Sequence, residues 1–429
     1  MRKELLSFFF LEFMTYLQIY TLHNYHYQIL KNTNTVSEKN FPLVYCFDIF
    51  KVFSTLIFSN ICDRKGNHKT FLVITPLLAG IVIYALFNIQ SYCPVTYRKP
   101  LVVFFYIIFV ICSAGTHSIL ESLCFNFLEN NNYNLSTFGR IRVGGSFGNM
   151  FCQFFLFSFQ RLMMYLKGKE YAEKMKDVFL VHFFLLFGLI NSVACFFLAP
   201  AYKKAERIEE SSEKTTKWTL RKFLNDLKCL FTLNLIIYFI SVLAYGIERA
   251  SLGGYFTMFL TFQGIERSIL YILSLMRCFP EIFIYLFMRN IENFCSMEGM
   301  FVISVISSAL RTFFYIFVDF KVQTAPFFTV APFMIEFLKG ISSSFFNYSA
   351  LRIFRNEATD ATLSTAQGLF NANYNALSYI FYAVIGYSII KSDNLFDSIK
   401  NLFLFSACCS VICLGPPIVA FLRRNNRKK

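Results

Sequence analysis

The stretch Ala201-Tyr-Lys-Lys-Ala-Glu-Arg-Ile-Glu-Glu-Ser-Ser-Glu-Lys-Thr-Thr-Lys217 is the longest hydrophilic segment in this chain of 429 residues. A polar, mixed-charge segment of this kind stays in water and joins two halves. Before it, apolar runs separated by short polar breaks fall at roughly 5–30, 41–61, 70–90, 100–122, 140–161 and 177–199. After it they fall at about 228–259, 267–288, 299–318, 325–349, 365–390 and 401–422. Each run suits a bilayer-crossing helix of ~20 residues. The reading is an all-α polytopic membrane protein with twelve transmembrane helices. Residues 1–199 form a first six-helix bundle, 200–225 a charged linker, 226–422 a second six-helix bundle and 423–429 a basic tail.

Composition agrees. Hydrophobic residues make up 56% of the chain and charged residues 16%, against about 25% charged in soluble domains. Membrane barrels need alternating strands, and these runs are continuously apolar. The net charge of +15 does not point to nucleic acid, because the basic residues gather between apolar runs and at the C-terminus. With both termini in the cytoplasm, twenty-two Lys and Arg lie inside and thirteen outside, five of the latter in a loop read at Arg161–Lys176. That bias follows the positive-inside rule. Most cysteines, such as Cys112, Cys152 and Cys195, sit inside apolar runs as small hydrophobes. No catalytic or metal-ligand spacing emerges, and no cofactor motif. His23 and His26 are too few for a metal site and read with Tyr20, Tyr25 and Tyr27 as interfacial residues. Trp218 reads as an interfacial anchor. The sequons at Asn134 and Asn347 fall on the cytoplasmic side or within a span, so neither should carry a glycan.

Four stretches carry a resemblance. Ser59-Asn-Ile-Cys-Asp63-Arg64-Lys65-Gly66-Asn67-His68-Lys69 resembles the loop between helices two and three of the major facilitator superfamily, with Ser59 in place of its first Gly and Asn67-His68 in place of two basic positions. Asp63, Arg64 and Gly66 are the gating-loop residues it implies. Phe138-Gly139-Arg140-Ile-Arg142-Val-Gly-Gly145-Ser-Phe-Gly148 is similar to the opening of helix five in lactose-permease-like proton symporters. It is equally similar to their animal relatives around major facilitator superfamily domain-containing protein 6. Glu336-Phe-Leu-Lys339-Gly340-Ile-Ser-Ser-Ser-Phe and Thr365-Ala-Gln-Gly-Leu-Phe-Asn-Ala resemble segments of that second group. The resemblance covers essentially the whole chain. It implies two pseudo-symmetric halves, a cavity at the midplane and alternating access.

Ionisable side chains within a bilayer are costly and by default face a partner or a water-filled cavity. Glu12, Asp48, Lys51, Glu121, Arg142, Glu248, Arg249, Glu281, Arg311, Glu336 and Lys339 all fall in or at the edge of spans. Asp48 and Lys51, and Glu336 and Lys339, have i, i+3 spacing and can pair on one helical face. Glu248 and Arg249 are adjacent, so they point apart and need different partners. A carboxylate beside Arg holds its proton poorly, and one left in apolar surroundings takes it up. The resemblance implies that Arg142, with Glu121 as the nearby acid, and Glu281 with Arg311 bind solute, and that Glu336 with Arg311 couples the proton. Two departures qualify this: an ungapped comparison puts the first acid at Cys124, and no His stands in span ten. Only one of Arg140 and Arg142 should point inward, and the alternative for both is a cytoplasmic anchor. Gly144, Gly145 and Gly148 read as a close-packing stripe.

The function expected is secondary transport of a small polar organic solute, proton-coupled or facilitated, by a monomer embedded in lipid and without nucleic acid. An alternative of another class is a receptor or scaffold that kept the fold and lost the transport cycle. An enzyme is the most distant reading.

Overall fold

The computed structural model describes residues 3–23, 29–30, 41–200, 227–228, 230–265, 267–318, 326–358, 362–391, 393–415, 417–419 and 422. The charged linker, Trp218, His26 and the basic tail lie outside them. Within them the chain crosses from side to side twelve times. The first half comprises α1 (Lys3–Leu22), α2 (Ile49–Lys65, entered through short turns at Phe41–Val44 and Tyr45–Asp48), α3 (His68–Phe87), α4 (Val95–Asn130), α5 (Thr137–Lys167) and α6 (Lys169–Leu198). The second half comprises α7 (Leu233–Phe262), α8 (Arg267–Leu286), α9 (Met297–Phe317) and α10 (Pro326–Asn356). Its eleventh crossing is split into α11 (Leu363–Ala372) and α12 (Ser378–Ile389), and α13 (Leu395–Ile412) completes it.

Nine of these crossings are long and apolar enough to span a bilayer by length and composition alone. The remaining three are α5, α10 and the split eleventh crossing. Each carries a polar stripe that lowers its hydropathy, and each turns that stripe toward the interior of the molecule. Buried Ser146, Asn149 and Gln153 lie on α5, Glu336, Ser342 and Ser343 on α10, and Gln367, Asn371 and Asn373 along the eleventh crossing. The halves meet where α5 packs on α8 and where α2 packs on α11. Second and fifth helices of one half thus meet fifth and second helices of the other, the arrangement a pseudo-two-fold axis requires.

Small residues set the closest approaches. A Cβ on Gly144 would overlap the carbonyl of Phe9, and one on Gly148 the carbonyl of Phe13. The expected stripe on α5 therefore receives α1. Across the halves, Gly139 faces the Tyr285 carbonyl and Gly368 faces Ser59.

Two buried apolar belts run through both halves. One includes Leu17, Tyr106, Phe184, Leu252, Phe259 and Tyr382. The other includes Leu5, Phe8, Phe138, Leu235, Phe301 and Leu414, so it lies at the face where both chain ends emerge. Between the belts lies a charged layer.

Several boundaries differ from the sequence reading. No loop exists at 161–176: α5 continues to Lys167 and α6 begins at Lys169, with Gly168 turning the chain at φ +88°. Hydropathy marks only the apolar part of a helix, and charged ends prolong it beyond the hydrocarbon. For the same reason α4 runs over 36 residues. The eleventh crossing is interrupted by a π turn at Asn373–Leu377, which periodicity did not reveal.

Gly148→Val should destabilise the α1–α5 seam by about 3 kcal/mol, since the clash is with backbone. Gly253→Ala, whose Cβ would find its nearest atom 3.9 Å away, should be close to neutral. Thermal unfolding of both purified variants tests this, and equal melting temperatures would refute it.

Candidate functional site

A cavity of about 250 Å³ occupies the charged layer, walled by both halves. Its first-half wall is organised by Arg142 on α5, which is buried while Arg140 is exposed. The Arg142 guanidinium lies 2.9 Å from Glu121 on α4 and 3.3 Å from Glu12 on α1, and stacks 4.8 Å over the Tyr16 ring. His117, one turn before Glu121, places its Nε2 3.1 Å from that carboxylate and 3.4 Å from the Tyr16 hydroxyl. The structure therefore joins Glu121 to Arg142, and Cys124 is buried away from the cavity lining.

The second-half wall is organised by Glu336 on α10. Its Oε1 accepts hydrogen bonds from Arg311 at 2.7 and 3.0 Å and from the Tyr315 hydroxyl at 2.7 Å, both on α9. Its Oε2 lies 3.3 Å from Nε of Arg277 on α8, an ion contact without hydrogen-bond geometry. Lys339 is not its partner. The i, i+3 spacing allowed that pair, but Lys339 turns to the cavity while Glu336 is fully buried against α8 and α9. Asp48 and Lys51 likewise both line the cavity with no ion pair within 4 Å between them.

Glu281 on α8 accepts from Ser343 of its own half and, at 3.2 Å, from Ser146 on α5 of the other half. A second link between halves runs from the Asn371 amide on α11 to Glu121 at 3.4 Å. Glu248 and Arg249 point apart as adjacency requires. Glu248 is buried and accepts from Ser308 and Thr312. Arg249 lines the cavity, donates to Asn375 at 2.7 Å and stacks 4.4 Å over Tyr374.

Both ends of the cavity are narrowed by contacts between halves. Toward the chain termini, Asn60 donates to Thr365 at 3.4 Å and Arg355 pairs with Glu129. At the opposite face the Tyr45 ring packs against Tyr379 and Tyr382, at centroid distances of 5.1 and 5.7 Å. Of the expected gating loop, Gly66 caps α2 in the left-handed region at φ 69°, while Asp63 and Arg64 occupy its last turn. Asn347, one of the sequon residues, lines the cavity. Asn134 accepts from the Ser136 amide at 2.9 Å just before α5.

His117, Arg277, Tyr315, Ser146, Ser343 and Asn371 were not among the site residues read from the sequence. Spacing held a signal for five of them. His117 and Arg277 stand at i−4 from Glu121 and Glu281, and Ser146, Tyr315 and Ser343 stand one turn beyond Arg142, Arg311 and Lys339. Which groups they meet on other helices is set by tertiary packing.

Twelve crossings in two related halves around a central charged cavity define a secondary membrane transporter of the major facilitator fold. The family model of the MFS_1-like family matches residues 5–399, and the chain belongs to that family. No curated protein matches it. Solved structures share the architecture. The nucleoside transporter NupG aligns with a TM-score of 0.66 at 16% identity, covering 98% of this chain and 99% of that one. The proton:xylose symporter XylE aligns with a TM-score of 0.65 at 12% identity, covering 96% and 94%. The human organic anion transporter MFSD10 aligns with a TM-score of 0.61 at 12% identity, covering 96% and 99%. These identities speak for the fold alone. Neither they nor the family match favours the scaffold alternative.

Arg142→Met strands two buried carboxylates beside each other, and the expected loss is about 3–5 kcal/mol, read as a fall in melting temperature. Adding Glu12→Gln and Glu121→Gln should restore most of it. A triple variant no more stable than the single one would remove Arg142 from this role.

Proposed function

We propose that this transporter moves a small polar organic solute by alternating access and couples that movement to protons. The observation that carries the reading is the layer of paired charges around a cavity that both halves wall and that apolar belts enclose above and below. Charges so deep in a membrane protein mark a solute or ion path. In this reading the solute lies between Arg142 with Glu121 in the first half and Glu281 with Arg311 in the second. Rocking of the halves breaks the Glu281–Ser146 and Asn371–Glu121 links and opens one face while the other closes. Both termini lie in the cytoplasm, as the distribution of basic residues implies. Asp63, Arg64 and Gly66 act as the tight reversal that holds the cytoplasmic ends together. The protein works as a monomer.

Glu336 is the proton carrier in this scheme. With Arg311, Arg277 and Tyr315 all directed at it, its carboxylate is stabilised ionised in this conformation. When movement of α9 relative to α10 withdraws Arg311, the carboxylate is left in apolar surroundings and takes up a proton. Rebinding of Arg311 releases it. The fully paired state is thus the unloaded one.

Glu336→Gln should therefore leave solute exchange across proteoliposome membranes intact while removing its response to a pH gradient. Uptake by the variant that still follows the gradient would rule out Glu336 as carrier.

A further inference from the structure

Among the described residues, six lysine and arginine side chains line the cavity, and they fall into two sets. Arg142, Arg277 and Arg311 each have a carboxylate within 4 Å. Lys51, Arg249 and Lys339 line the same cavity with no carboxylate within that distance among the described residues. They come together from three helices: Lys51 from α2 in the first half, Arg249 from α7 and Lys339 from α10 in the second. Lys339 interacts electrostatically with Arg249, Arg277 and Arg311 and also with Glu281, and Lys51 with Asp48 and Arg249; neither lysine meets its carboxylate within 4 Å. A cluster of like charges shielded from bulk water is unfavourable unless something negative joins it.

Two of the three carboxylates in the neighbourhood are engaged elsewhere. Glu281 is hydrogen-bonded to Ser343 and Ser146. Glu248 is buried behind the hydroxyls of Ser308 and Thr312 and does not line the cavity. Asp48 faces the cavity beside Lys51 without meeting it. Arg249 is pre-set for a ligand. Its planar group is held over Tyr374 and bonded to Asn375, and a guanidinium with five N–H donors has further ones for a planar or tetrahedral oxyanion. Lys339 has three donors and no hydrogen-bonded acceptor among the described residues. Tyr20, Tyr45, Tyr374 and Tyr379 add aromatic surface next to these cations, which suits an apolar body carrying one charged end.

We propose that this side of the cavity is an anion site, and that the transported solute is a small organic anion whose carboxylate or phosphoryl group is held by Arg249 and Lys339, with Lys51 facing it from the other half. The inference rests on the transport reading above and deepens it. A cavity of about 250 Å³ sets the size to roughly that of a single substituted ring. The location gives the anion a mechanical role. Cations on opposite halves repel while the site is empty, and an anion between them reverses that force, so its arrival favours closure around it.

The test uses the full chain purified in detergent and three probes of one shape: benzoate, phenyl phosphate and benzyl alcohol, each titrated through the millimolar range. Benzoate or phenyl phosphate should raise the melting temperature in a saturable way, and which of the two does so names the headgroup chemistry. Benzyl alcohol should not. Lys339→Gln and Arg249→Gln should each weaken the response by about ten-fold or more, whereas Lys400→Gln, outside the cavity, should not. If Arg249→Gln fails to fold, Lys339→Gln and competition by high chloride in the unaltered protein remain as readouts. Three silent probes, stabilisation by the alcohol equal to that by the anions, or anion responses unchanged in Lys339→Gln would each overturn the proposal. Exchange of an uncharged solute in proteoliposomes alongside any of those results would leave transport standing and remove only the anion.

Discussion

A charge in the middle of a membrane protein has to be met by another, and Arg142 is where this requirement shapes the first half. One guanidinium reaches Glu12 on α1 and Glu121 on α4 while resting on Tyr16. Three helices are thereby tied at one height. Their close approach on one side depends on Gly144 and Gly148, which let α1 come within backbone contact of α5. Remove the side-chain volume and Glu12 reaches Arg142; restore it and α1 is pushed off. Packing and electrostatics are one device here, because the glycines set the distance over which the ion pair acts.

The second half solves the same problem with other residues. Glu336 is the acceptor, and Arg311, Arg277 and Tyr315 converge on it from two neighbouring helices. The two hubs invert each other: one cation between two anions in the first half, one anion between two cations in the second. Each is nearly self-sufficient, so the halves hold together internally and meet through modest polar links: Ser146 to Glu281, Asn371 to Glu121, Asn60 to Thr365 and the pair of Arg355 with solvent-facing Glu129. Modest links between the halves suit rocking of one against the other, and in the proposed cycle the Glu336 hub is the place where the second half also loosens internally.

Much of this was legible in the sequence. The twelve crossings, the two halves and the glycine stripe follow from hydropathy and spacing, which are local properties. The charged residues were also visible as anomalies in apolar runs. Their partners were not. Spacing of three offered Asp48 to Lys51 and Lys339 to Glu336, yet a helix face only makes a pair possible. Competition from other helices decides it, and Glu336 found arginines that are 25 and 59 residues distant along the chain. Arg142 met Glu12 across 130 residues. The helical stretch read as a loop at 161–176 failed for a different reason. Apolar content marks where lipid ends, and it does not mark where a helix ends. Gly168 was the one residue there that announced the turn.

The π turn at Asn373–Leu377 gives the eleventh crossing two faces. Inserting one residue into a helix rotates everything after it by about 100°. Before the turn, Asn371 and Gly368 look toward the first half at Glu121 and Ser59. After it, Tyr379, Tyr382 and Gly386 look toward Tyr45 and Pro42 near the far end of the cavity. A regular helix on the same sequence would have wound one of these stripes away from the neighbouring half. The irregularity is therefore a phase correction, and it allows one helix to serve as a sealing surface at both mouths of the same chamber.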